Sequence, residues 1–127
     1  RLYDWGRPRE VHLAAALRAV RLSPPAAVSE AVEPLADGGE RILRMPDFAV
    51  RRYRLAPGAG LGLSLDGRFS TLTVLDGGGE LRWQQDGRPA QRAVARGDSA
   101  LLPAALQRIH LTATSPTTVL VCDPMTD

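Results

Sequence analysis

The stretch TVLDGGGELRW at residues 73–83 decides the fold, because two apolar runs flank an acidic turn that contains three glycines. A phosphate-binding glycine loop would need a helix after it, since the helix N-terminus supplies the anion site. Here Leu81 and Trp83 alternate with polar residues instead, which indicates a second strand. Asp76 and Gly77 form a favoured turn pair. The stretch therefore predicts a β-hairpin rather than a phosphate or metal site.

Short apolar runs separated by Gly, Pro and Asp turns continue from this stretch towards both ends of the chain, beginning at Glu40. Turns recur about every ten residues, which is typical of an antiparallel sandwich or barrel and not of a β-α-β fold. The pattern predicts strands near 40–45, 49–55, 61–65, 70–76, 79–85, 91–95, 99–102, 106–113 and 117–122.

One helix is predicted before the strands, over residues 9–20 with the sequence REVHLAAALRAV. Its apolar residues Leu13, Leu17 and Val20 recur at helical spacing, and its alanines favour a helix. The prolines at 24–25 cannot continue it. The predicted fold class is therefore all-β, an antiparallel jelly-roll sandwich or barrel with one short N-terminal helix.

Composition limits the class of protein. A chain of 127 residues with 44% hydrophobic and 24% charged residues is long enough for one domain with a core. No apolar run approaches the roughly 20 residues of a membrane helix, so no membrane partner is predicted. The single cysteine, Cys122, excludes an intrachain disulfide, and the expected compartment is the cytoplasm.

Charge argues against a nucleic-acid partner. All 16 basic residues are arginines, but the net charge is only +2 and most arginines alternate with apolar residues along the chain. Only Arg51, Arg52 and Arg54 cluster, and they lie in a predicted strand. A nucleic-acid-binding protein would group its basic residues and place aromatic residues among them.

Two blocks of the sequence resemble the two motifs of the cupin family. The first is VLDGGGEL at 74–81, and the second is GDSALLPA at 97–104. Extended to their flanking residues, the two blocks cover about half of the chain. This resemblance implies a cupin-type jelly roll.

The same resemblance implies that this chain holds no metal. Metal-binding cupins place two histidines and a glutamate before the first-motif hairpin, and another histidine after the second-motif proline; imidazole and carboxylate donors then converge on a divalent ion. Here residues 61–72 contain neither histidine nor glutamate, and Arg108 stands five residues after Pro103, where the last histidine would fall. His110 alternates with apolar residues and is interpreted as a residue on a strand face rather than a ligand.

Two further segments narrow the resemblance. RLYDWGRPREVHLAAALRAVRLSP at 1–24 and RILRMPDFAVRRYRL at 41–55 resemble segments of short bacterial type I mannose-6-phosphate isomerases. These enzymes are double cupins whose first domain holds zinc and interconverts mannose 6-phosphate and fructose 6-phosphate. The resemblance implies that residues 1–24 are the tail of that catalytic domain plus the short helix. Residues 25–127 would then form the C-terminal, metal-free cupin domain.

Functional residues follow from the resemblance at only one position. Arg1 falls on an arginine of the family's active site, where a permanent positive charge can hold anionic oxygens of the sugar; the alternative is that it is only a terminal residue here. The chain alone is expected to be inactive, while zinc and a sugar phosphate belong to the intact enzyme. The alternative is a non-catalytic module that binds a sugar phosphate or another anion through Arg108, or that forms a homodimer. Arg108 could equally reach solvent from a packed barrel end.

Overall fold

The computed structural model describes residues 3–4, 6–8, 10–20, 22 and 32–125. Within those residues the chain forms twelve β-strands and one α-helix. The strands make two large antiparallel sheets and one two-stranded ladder. In this described part of the chain, no helix is long and apolar enough to cross a membrane.

The larger sheet contains six antiparallel strands. From one edge to the other they are β10 (Ser99–Leu102), β7 (Ser70–Asp76), β12 (Thr117–Pro124), β5 (Phe48–Leu55), β4 (Glu40–Arg44) and β3 (Glu33–Pro34). The strands alternate between the core and the outer face, as the central strand β12 illustrates. Its residues Thr117, Val119 and Val121 are buried, whereas the residues between them are partly exposed. The period of two thus gives this sheet one core-facing side.

The smaller sheet contains four antiparallel strands. In spatial order they are β6 (Gly60–Ser64), β11 (Arg108–Ala113), β8 (Gly78–Gln85) and β9 (Arg88–Ala95). Asp86 and Gly87 join β8 to β9, and both have positive φ, of 51° and 73°. Two-residue turns of this kind match the twist of the strands they connect, so they fix the register of the hairpin. Gln85 consequently pairs with Arg88, and Leu81 with Arg92.

The core lies between the inner faces of the two sheets. Leu111 of the smaller sheet and Val119 and Val121 of the larger sheet are completely buried. Tyr53 is the largest side chain among the most deeply buried residues. Removing these apolar surfaces from water is the main force that holds the sheets together. The predicted all-β antiparallel jelly-roll sandwich is confirmed, and all nine predicted strands are present with ends shifted by at most three residues.

The elements before residue 40 differ most from the prediction. A ladder of β1 (Tyr3–Asp4) and β2 (Arg7–Pro8), together with β3, was not predicted, because two-residue strands carry no periodic signal. The helix α1 spans Leu13–Ala19 and is shorter than the predicted 9–20. The backbone of its N-cap residue His12 is not helical, with φ and ψ of −78° and 61°, so the helix begins after it.

The glycine turn at residues 76–79 does not form the predicted hairpin. β7 pairs with β10 and β12, whereas β8 pairs with β9 and β11, so the turn carries the chain from one sheet to the other. Gly77 has a φ of +73°, and a Cβ there would collide with the backbone oxygen of Pro116 and lie 2.6 Å from Oγ1 of Thr117. The next amide, of Gly78, donates to that hydroxyl at 3.0 Å. The glycines therefore allow the crossing chain to pass close to the turn before β12.

Candidate functional site

A cavity of about 610 Å³ lies between the two sheets, where a short turn at 96–98 joins the edge strands β9 and β10. Core residues such as Leu72, Leu81 and Ile109 form its apolar wall. Polar residues line it as well, and these are Gln84, Gln85, Asp86, Arg92, Asp98 and Ser99. Its volume falls within the range of about 300–1,000 Å³ that is typical of small-molecule sites.

Arg92 places a positive charge at this cavity. It lies on β9 directly opposite Leu81, whose side chain is buried, so the register puts Arg92 on the inner face of the smaller sheet. Its neighbour on the same face, Val94, is buried. Arg92 itself is exposed and makes no hydrogen bond or ion pair with the part of the chain that the structure describes. A guanidinium at the rim of an apolar cavity is available to a ligand.

Trp83 and Asp98 line the same cavity. Trp83 is opposite Ile109 on β11, is half-buried, and packs against the hydrophobic core. Asp98 comes from the turn before β10, where its Oδ2 accepts a 2.9 Å hydrogen bond from the amide of Ala95. The cavity thus combines an aromatic surface with one cation and with carboxylate and amide groups.

Of the two sequence-predicted site residues, Arg1 and Arg108, the structure describes only Arg108. Arg108 begins β11, is exposed, and pairs through its backbone with Ser64. The cavity is lined by Arg92 and not by Arg108. A binding role for Arg108 stays a prediction. Arg1 lies outside the described residues, as does the expected domain boundary at 24–25.

The sequence analysis missed Arg92, although a signal for it exists. A two-residue Asp-Gly turn at 86–87 fixes the pairing of its flanking strands, and counting back from it places Arg92 opposite Leu81. Since Leu81 follows the core-facing pattern, Arg92 must face the same side of the sheet. The strand pattern RPAQRAVA by itself gave no reason to single this arginine out.

The inward-facing residues of β6 and the residue after it, where a metal-binding cupin would carry ligands before the glycine turn, are leucines in this protein. β6 and the residue after it direct Leu61, Leu63 and Leu65 into the core, with exposed fractions of 5%, 2% and 4%. Ser70, at the start of β7, is also buried. Among the described residues, no three His, Cys, Asp or Glu side chains come together to hold a metal ion. Hydrocarbon side chains offer no donor atoms, so these residues do not fit a divalent ion.

His110 lies on the opposite side of the same sheet. It is exposed on β11 and stands opposite Gly62 on one neighbouring strand and Arg82 on the other. A Cβ at Gly60 would lie 2.7 Å from the imidazole ring, so the ring packs over the glycine backbone. The interpretation of His110 as a residue on a strand face is confirmed.

A second polar cluster lies on the inner face of the larger sheet. Arg51 Nε donates to Asp123 Oδ2 at 2.7 Å, and Arg51 Nη1 donates to the Tyr53 hydroxyl at 2.7 Å. That hydroxyl donates to Asp37 Oδ2 at 2.8 Å, while Ser70 Oγ donates to Asp123 Oδ1 at 2.7 Å. Every member has a partner, so this cluster joins β5, β7, β12 and the turn before β4 rather than offering groups to a ligand.

Burial shifts the titration of this cluster. Burial, followed by the hydrogen bond to Asp37, raises the pKa of Tyr53. Burial alone would lower the pKa of Arg51, but its hydrogen bond and ion pair with Asp123 outweigh this and raise that pKa. Both raised pKa values keep Tyr53 and Arg51 protonated at neutral pH.

The arginine cluster found in the sequence is divided between the two faces of β5. Arg51 faces inward, whereas Arg52 and Arg54 both donate to Oε2 of Glu40 on the outer face, at 2.7 Å and 2.9 Å. The hydrogen bond from Arg52 lowers the pKa of Glu40 even against its partial desolvation. Alternation along a strand thus separates three arginines that are close together in the sequence.

Two antiparallel sheets packed face to face, with a cavity between them and a glycine-rich crossing from one to the other, define a cupin-type β-sandwich. No protein-family model matches the sequence, and no curated protein matches it either.

Several solved structures share this fold. The mannose 6-phosphate isomerase from Bacillus subtilis is similar over 96% of this chain, with 23% identity and a TM-score of 0.63. KdgF from Halomonas sp. matches 80% of this chain and 94% of its own, with 15% identity and a TM-score of 0.60. An RmlC-like cupin protein from Desulfovibrio desulfuricans matches 80% of this chain and 96% of its own, with 21% identity and a TM-score of 0.58. The chain spans only 37% of the length of the isomerase.

Proposed function

We propose that this chain is the C-terminal, non-catalytic cupin module of a mannose-6-phosphate isomerase-like protein. The observation that carries the proposal is the extent of the match to the isomerase. That match covers 96% of this chain, whereas the matches to KdgF and to the RmlC-like protein cover 80% each. A match over 96% must include at least part of α1, which lies outside the jelly roll. The segments at 1–24, 41–55 and 74–104, which resemble the isomerases in the same order, support it further.

The interior of the module supports a non-catalytic role. Leu61, Leu63 and Leu65 fill the space in which the metal-binding side chains of a catalytic cupin would have to converge. All three pack into the hydrophobic core. Aldose–ketose isomerisation needs a group that moves a proton and a positive charge that stabilises the developing oxyanion. The leucines of β6 would supply neither the proton-transfer group nor the positive charge. We therefore assign the chemistry of the whole protein to residues that precede this module.

Turnover assays test the proposal in two arms. The 127-residue chain, incubated with zinc and mannose 6-phosphate, is expected to form no fructose 6-phosphate. The longer protein encoded with its upstream reading frame is expected to form it. Turnover by the chain alone would overturn the non-catalytic assignment, and an inactive but folded longer protein would overturn the isomerase assignment.

A further inference from the structure

The cavity between β9 and β10 contains a charged group that the proposed function does not use. Of the arginines in the described strands, Arg41, Arg51, Arg52, Arg54 and Arg82 each make an ion pair with a carboxylate. Arg88, Arg92 and Arg108 make none within the described residues, and of these three only Arg92 lines the cavity. Because Arg92 is exposed and has no carboxylate partner among these residues, its guanidinium is available to an anionic ligand in the cavity.

The geometry around Arg92 limits the kind of anion. A guanidinium is planar and presents paired N–H donors that match the two oxygens of a carboxylate or phosphate. Asp86 and Asp98 line the same cavity and repel negative charge. Two carboxylates against one guanidinium disfavour ligands with several anionic groups, so a ligand with a single anionic group fits best.

The other residues that line the cavity indicate what the uncharged part of the ligand is. Trp83 offers an aromatic surface, and Leu72 and Leu81 contribute apolar surface to the same lining. The C–H face of a sugar ring packs against such a surface, while its hydroxyls need donors and acceptors around the edge. The amides of Gln84 and Gln85 and the two aspartates provide those.

We propose that this cavity binds a monosaccharide that carries one carboxylate or one phosphate. Arg92 holds the anionic group, and the sugar ring lies against Trp83. The site is separate from the leucine-filled positions on β6, and it does not depend on the isomerase assignment, because it rests only on residues of this chain. A cavity of about 610 Å³ has room for such a ligand.

Calorimetry on the 127-residue chain tests this directly with three matched sugars: glucuronate, glucose 6-phosphate and glucose. At least one of the two anionic sugars is expected to bind at least tenfold more tightly than glucose. The comparison of the first two distinguishes a carboxylate site from a phosphate site. Arg92→Gln is expected to remove the preference for the anionic sugar.

Arg88→Gln provides the matched control, because Arg88 is also an exposed arginine on β9 but does not line the cavity. It is expected to leave the affinity within twofold. Tryptophan fluorescence gives an independent readout, since Trp5→Phe leaves Trp83 as the only tryptophan and binding should change its emission. Circular dichroism establishes that each variant is folded.

Three results would overturn the proposal. One is equal affinity for glucose and for both anionic sugars. Another is an Arg92→Gln variant that is folded and binds as tightly as the original chain. The third is the absence of binding by all three sugars at millimolar concentration. None of these results bears on the turnover assays, so the two proposals can fail separately.

Discussion

Nε of Arg51 donates a 2.7 Å hydrogen bond to Oδ2 of Asp123, a residue 72 positions later in the sequence. The bond joins β5 to β12, the two central strands of the larger sheet. Asp123 also accepts the hydrogen bond of Ser70, so one carboxylate links three strands. Both charged side chains are about three-quarters buried, with exposed fractions of 22% and 27%.

Asp123→Ala is expected to lower the free energy of unfolding by about 1–3 kcal/mol, because it leaves Arg51 and Ser70 without their partner in a poorly solvated place. The loss stays below that of a fully buried pair because water still reaches both groups. Urea denaturation measures it. Glu33→Ala is the control, since it removes the more exposed Arg41–Glu33 pair and should cost about 0–1 kcal/mol. Equal losses in the two variants would contradict a special role for Asp123.

Gly77 and Gly87 offer a matched pair of turn glycines, both with a φ of +73°. Alanine at either position is strained by about 1–2 kcal/mol. At Gly87 a Cβ meets nothing within 4 Å, whereas at Gly77 it meets the backbone of Pro116 and Thr117. Gly77→Ala is therefore expected to destabilise the protein by at least about 2 kcal/mol more than Gly87→Ala. Chemical denaturation of both variants gives the difference, and similar stabilities would mean that the crossing turn is not tightly packed.

Leu111 and Leu101 are leucines of opposite exposure in the sandwich. Leu111 is completely buried, while Leu101 is 66% exposed on an edge strand. Leu111→Ala is expected to cost about 2–5 kcal/mol through lost burial and the cavity left behind. Leu101→Ala should stay within about 0.5 kcal/mol of the original chain. Thermal and urea unfolding of the two variants test this, and a small effect at Leu111 would argue against the packing between the sheets.

The strands could be predicted from the sequence because each of them is specified locally. Period-two patterns and Gly, Pro and Asp turns gave β7 and β10 with their observed bounds. Which strands pair with each other could not be predicted in the same way. The turn after Asp76 has the sequence of a hairpin turn, whether its two strands pair with each other or enter different sheets. The separation depends on contacts with Pro116 and Thr117, about 40 residues later in the chain.

The candidate site was harder to predict than the fold. The resemblance to cupins directed attention to Arg108, which takes the place of a ligand in the family pattern but lies outside the cavity. Arg92 belongs to no motif, and only the register set by the turn at 86–87 places it on the inner face. Arg51 illustrates the same limit, because its partner on the inner face, Asp123, is distant in sequence.

Tyr53 provides a prediction about alkaline pH. Its hydroxyl donates to Asp37, and burial together with that bond raises its pKa above the ordinary value of about 10. The folded state therefore keeps the phenol proton at a pH at which the unfolded chain has lost it. The stabilisation is complete below about pH 10 and is lost as the pH rises above that value.

A Tyr3→Phe variant tests this, because it leaves Tyr53 as the only tyrosine. Phenolate absorbance of the folded variant is expected to stay low through pH 10 and to rise only at higher pH or on unfolding. The same chain in concentrated urea should titrate near pH 10. In a second arm, Tyr53→Phe should lower the free energy of unfolding at neutral pH, because the hydrogen bonds with Asp37 and Arg51 are lost. Above pH 10 this variant should lose less additional stability than the protein that keeps Tyr53. A phenolate signal near pH 10 in the folded protein would show that the Tyr53 hydroxyl is open to water and that the cluster around Arg51 is not closed.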